Sequence, residues 1–81
     1  MDQISKMQIV KWYFNRHGID NDPFLAMAIG TTADIIYDFM RMRIPPFPEV
    51  IRTLLQEIYG WNCEDIDIHE IIQMVKEVMM E

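Results

Sequence analysis

Residues Pro45-Pro46-Phe47-Pro48 constrain this chain more than any other segment. Proline fixes φ and has no backbone N–H, so a helix does not continue through three prolines in four positions. The segment predicts a stiff, extended corner between two helical halves. Charge divides at the same place. Residues 1–43 carry five acidic and five basic side chains. Residues 44–81 carry eight acidic side chains against Arg52 and Lys76, so the whole net charge of −6 lies after residue 43.

A length of 81 residues bounds the chain to one domain, 1–81, around one core. A hydrophobic content of 51% is high for that length. A small helical fold has little interior volume, so apolar surface is left over, and such surface usually meets another copy or a partner. A homodimer formed through the second or the last helix is therefore expected, together with a protein partner. Cys63 is the one cysteine and has no internal disulfide partner. With no basic-then-apolar segment at the start, a cytoplasmic location is expected. The longest stretch without a charged side chain, Pro23 to Ala33, falls short of the roughly 20 residues a membrane span needs, so no membrane role is expected.

Four helical segments follow from local signals, and no sustained period-2 alternation predicts a strand. From Asp2 to His17, Ile4, Met7, Val10 and Phe14 recur on one helix face, flanked by Ile9 and Tyr13. Asp2 or Ser5 caps the start, and Gly18 suits the left-handed stop. Asp22 followed by Pro23 marks the second start. That helix carries Phe24, Leu25, Ala28, Ile35, Ile36, Phe39 and Met40 and extends toward Arg43, about 30 Å at 1.5 Å per residue. Gly30-Thr31-Thr32 weakens its middle. A break capped by Thr31 is one reading; the apolar stripe stays in phase, which favours a continuous helix in which Ala26, Gly30 and Ala33 admit a close neighbour. The third helix, Pro48 to Tyr59, carries Val50, Ile51, Leu54, Leu55 and Ile58, with Gly60 as its stop and Trp61 folding back. After a turn over 62–66, Asp67 and Glu70 match a capping box. The last helix should bury Ile68, Ile71, Ile72, Val75, Val78 and Met79. The expected fold is all-α: a compact four-helix domain with a Pro-rich corner between helices two and three.

Candidate chemistry is sparse. His17 and His69 stand far apart, and no Cys pair or His-x-x-x-His gives a zinc spacing. Asp20-Asn21-Asp22 opens like a calcium loop but lacks the later glycine and glutamate register. Cys63 and His69 are the one conceivable nucleophile and base, six residues apart across a helix start. No catalytic residue, cofactor or metal is expected. Lys6, Lys11, Arg16, Arg41 and Arg43 are too scattered for a phosphate-binding face, so direct nucleic-acid binding is disfavoured.

Interaction chemistry is better represented. Glu57, Glu64, Asp65, Asp67, Glu70 and Glu77 could form a negative face that meets a basic protein, as a decoy for nucleic acid; capping roles and a solvated face account for the same charges. Phe47, Tyr59 and Trp61 cluster about the corner and the end of helix three, as anchors of packing or of binding. Met79 and Met80 crowd the C-terminal end, where flexible thioethers suit an adaptable surface. The expected partner-binding set is thus Phe47, Tyr59, Trp61, Glu64, Asp65, Asp67, Met79 and Met80.

Tyr59-Gly60-Trp61 followed by Glu64-Asp65-Ile66-Asp67 and a closing amphipathic helix is similar to the end of some tail-assembly chaperones, over about 20 residues. Small size, acidity and Met and Ile richness also resemble accessory proteins of bacterial phages and mobile elements. The resemblance implies a non-enzymatic adaptor, assembly chaperone or inhibitor, and it transfers no site residue.

Overall fold

The computed structural model describes residues 1–80 and contains four helices: α1 (Gln3–His17), α2 (Pro23–Arg41), α3 (Pro48–Tyr59) and α4 (Ile68–Met79). Their ends are set by the residues that local chemistry requires. Asp2 accepts from the Ser5 amide at 2.8 Å, and Asp22 from the Leu25 amide at 3.1 Å, with Pro23 opening the first turn. Gly18 at φ 64° and Gly60 at φ 69° take the left-handed conformation that ends α1 and α3. α2 runs unbroken through Gly30-Thr31-Thr32. The Thr32 hydroxyl donates to the Ala28 carbonyl at 2.7 Å, which lets a polar side chain sit fully buried.

α2 stops at Arg41, short of Arg43. Arg43 instead adopts φ 60°, and the Ile44 amide reaches back to the Phe39 carbonyl at 2.8 Å. This is the helix stop that glycine makes at lower cost, built here on a residue with a Cβ. The proline segment then leads directly into α3.

The helices form a ring in which α1 packs on α2, α2 on α3, α3 on α4 and α4 on α1, and α2 also packs on α4 across the diagonal. Lys6 of α1 meets Asp34 of α2, and Arg16 of α1 meets Glu70 of α4, so α1 runs antiparallel to both. α2 and α4 bring Ala28, Ile29, Ala33 and Ile36 against Ile68, Ile71, Ile72 and Val75 in the centre. α1 adds Ile9 and Tyr13, and α3 adds Ile51 and Leu55.

Expectations about the faces of all four helices change. In α1 the buried residues are Ile9 and Tyr13; Ile4 and Met7 are exposed, and Val10 and Phe14 are half-buried. The apolar residues of α1 spread over more than one face, and the face that packs is the one bearing the tyrosine whose hydroxyl finds a partner. In α3, Val50 and Ile58 remain exposed beside the buried Ile51 and Leu55. α3 touches only α2 and α4, so one flank has no neighbour. In α4, Met74 is buried, Val78 is half-buried and Met79 is exposed at the last turn. In α2, Phe24 lies largely in solvent, whereas Ile29, Thr32 and Ala33 complete the buried face.

No described helix is long and apolar enough to cross a membrane.

Candidate protein-interaction site

The helix ends at one pole of the molecule bring three aromatic rings together. α3 runs antiparallel to α2, so its C-terminal end lies beside the start of α2. The Gly60 stop turns the chain and sends Trp61 back over the last turn. Trp61 stacks on Tyr59, with ring centroids 4.5 Å apart and planes at 18°, and meets the edge of Phe24 at 5.8 Å. Trp61 is half-buried, Tyr59 is 46% exposed and Phe24 is 59% exposed. Stacked rings hold one another in fixed rotamers, so they present apolar area with little further ordering on binding.

The segment between Gly60 and Asp67 is held from below. Arg52 of α3 donates to the Cys63 carbonyl and, at 3.5 Å, to the Ile66 carbonyl. Cys63 is buried, and burial pushes its thiol above the ordinary value while the Arg52 charge acts in the opposite sense. The net upward direction favours the neutral thiol, which is a poor nucleophile. Glu64 and Asp65 form the exposed apex of the turn.

The expected capping box at α4 is half formed. The Glu70 amide donates to Asp67 at 3.1 Å. The Glu70 carboxylate does not return to the Asp67 amide; it accepts from Arg16 at 3.2 Å and lies 2.6 Å from His17 Nε2. The Asp67 amide donates instead to the Tyr13 hydroxyl at 3.0 Å, and the Tyr13 ring stacks on His17 at 4.2 Å. Tyr13 is 2% exposed, and desolvation, with smaller contributions from Glu70 and Asp67, raises its pKa above the ordinary phenol value. The Asp67 carboxylate is therefore committed to capping α4, and the Glu70 carboxylate to holding α1 on α4. That leaves Glu64 and Asp65 as the free carboxylates beside the aromatic rings.

The expected set of binding residues does not form one patch. Tyr59 and Trp61 join, with Glu64 and Asp65 following in the same turn. Phe47 is exposed, but it caps the opposite end of α3, about 18 Å away along the helix. Met79 and Met80 are exposed at the far end of α4, where Met79 shares a shallow hollow with Met1, Asp2, Ser5, Tyr37 and Val78. Phe24 was not anticipated as a site residue. Its position directly after the Asp22-Pro23 start was the available signal, since a first-turn side chain protrudes past the body of its helix.

Elsewhere, α1 and α2 are separated by an open groove of about 410 Å³, lined by Met7, Val10, Ala26, Met27 and Gly30 with Lys6 and Lys11 among its banks. No cluster of three or more His, Cys, Asp or Glu suited to a metal occurs among the described residues. No protein family, curated protein or solved structure matches this chain.

Proposed function

We propose that this chain is a non-enzymatic protein-interaction module, acting as an adaptor, assembly chaperone or inhibitor, and that Phe24, Tyr59 and Trp61 anchor its partner. One observation carries the reading: Phe24 and Tyr59 both pack on Trp61 at a helix-end pole and stay 59% and 46% exposed, where a packing role alone would bury them. Tryptophan and tyrosine are among the side chains that most often dominate binding energy. The similarity of residues 59–67 to the end of some tail-assembly chaperones fits an assembly role, and a buried, unpaired Cys63 fits a reducing compartment such as the cytoplasm.

Glu64 and Asp65 support a second reading, an acidic decoy for a nucleic-acid-binding protein. Affinity capture from host lysate at low and high salt, with mass spectrometry, separates the two. An apolar anchor keeps its partner at high salt and loses it in Trp61→Ala, provided that variant retains its helical circular dichroism. A decoy loses its partner at high salt and in Glu64→Gln/Asp65→Asn, because exposed charges are screened. Capture that survives both sets of substitutions would defeat both readings.

A further inference from the structure

The molecule is a slab, 34 by 32 Å across and 19 Å thick. α2 and α4 pack across the thin direction and α1 and α3 flank them, so one broad face is built from α1, α2 and α3. At 100° per residue, the buried Ala28, Thr32 and Ile36 of α2 point inward, which leaves Met27, Thr31, Asp34 and Asp38 along the outer ridge of that face, with Met27 and Thr31 in its first half.

Several exposed or half-buried apolar residues of the two flanking helices lie on this side. On α1, Met7 and Val10 turn toward α2 and form the groove with Ala26, Met27 and Gly30. On α3, Val50, Leu54 and Ile58 recur at i, i+4 and i+8 beside the buried Ile51 and Leu55. The other flank of α3 bears Arg52, which reaches the loop leading to α4. The right-handed sense of the helix therefore carries Val50, Leu54 and Ile58 to the side of the slab that Met27 occupies. The groove floor is open at its centre, since a Cβ added to Gly30 would meet only the Lys6 side chain, at 3.9 Å.

The two edges of this face carry opposite charge. Lys11 stands on the α1 edge and forms no ion pair among the described residues; Lys6 is held by Asp34 at 3.0 Å. Glu57 stands on the α3 edge, seven residues after Val50 and three after Leu54, and it too has no ion-pair partner among the described residues. A basic bank beside an apolar groove and an acidic bank beside an apolar row are complementary, and they lie on either side of α2.

We infer that this face binds a second copy of the chain. A two-fold axis lying in the plane of the face and passing near Met27 lays the Val50–Leu54–Ile58 row of each protomer into the α1–α2 groove of its partner. It also sets Lys11 opposite Glu57 twice. Such a contact is isologous and closes at the dimer. The flexible Met7 and Met27 side chains adapt to the incoming row. The inference goes beyond the aromatic pole, which borders this face through Phe24 and Tyr59.

Sedimentation velocity and light scattering of the full chain, from low-micromolar to millimolar concentration, test it. The parent chain should pass from one chain mass to two. Met27→Asp, exposed and close to its own copy at the axis, should remain a monomer throughout. Lys11→Glu and Glu57→Lys should each weaken the dimer by about tenfold, because like charges then face each other at both edges. The combined Lys11→Glu/Glu57→Lys chain should recover to within about threefold of the parent. A parent chain that stays monomeric, a dimer indifferent to Met27→Asp, or a charge exchange without recovery would each overturn the inference. Trp61-dependent partner capture by Met27→Asp is read separately, so failure here leaves the aromatic reading intact.

Discussion

α3 and α4 are both twelve-residue amphipathic helices, each begun with an acidic side chain in its first turn. α4 fully buries Ile68, Ile71, Ile72, Met74 and Val75; α3 fully buries Ile51 and Leu55. The difference lies in neighbours. α4 packs on all three other helices, whereas α3 packs on two and leaves a flank uncovered. An apolar stripe thus specifies a face that seeks a partner, and the topology decides whether that partner is inside the same chain.

The sharpest way to break this comparison is one substitution made twice. Ile71→Ala in α4 should cost about 2–5 kcal/mol in urea denaturation, because it removes buried methyl groups and leaves a cavity. Ile58→Ala in α3, where the side chain is 62% exposed, should change monomer stability by less than about 0.5 kcal/mol. Equal losses would mean that the α3 flank is covered within the monomer.

A smaller effect is expected where α4 begins. Tyr13→Phe removes the acceptor of the Asp67 amide and should cost about 1–2 kcal/mol. The same hydroxyl gives the parent an alkaline signature. The folded-state pKa of Tyr13 is raised, so its contribution is fully present below the ordinary phenol value and is lost as pH rises through the raised value. Stability measured from about pH 9 upward should fall in the parent and fall less in Tyr13→Phe.

An effect of opposite sign is expected at the junction leading into α3. Arg43→Gly should stabilise the fold by about 1 kcal/mol, since glycine adopts φ near 60° without the Cβ clash. A loss of stability there would show that the Arg43 side chain contributes more than its backbone strain costs.

The helix ends other than the stop of α2 were legible in the sequence because their causes are local. Asp2, Asp22 and Asp67 bond amides three residues on, and Gly18, Pro23, Pro48 and Gly60 act through their own backbone geometry. The buried side of α1 was not legible. Ile4, Met7, Val10 and Phe14 form as regular a stripe as Ile9 and Tyr13, and the inner side is set by long-range packing on α2 and α4, including the Asp67 amide 54 residues from Tyr13. Of the candidate site, Tyr59 and Trp61 were readable from their spacing around Gly60. That Phe24 meets Trp61, and that α1 is the neighbour beside Ala26 and Gly30, depends on which helices pack together, which no local pattern records.

The half-formed capping box has one more consequence. A complete box would have let the last helix begin on its own residues. Here Glu70 bonds Arg16 and Tyr13 bonds Asp67, so the opening turn of the last helix is finished by side chains about two-thirds of the chain length earlier. Closing so long a loop carries an entropic cost that a local cap avoids. The front and rear of the chain therefore become ordered together, and loosening the end of the first helix should loosen the start of the last.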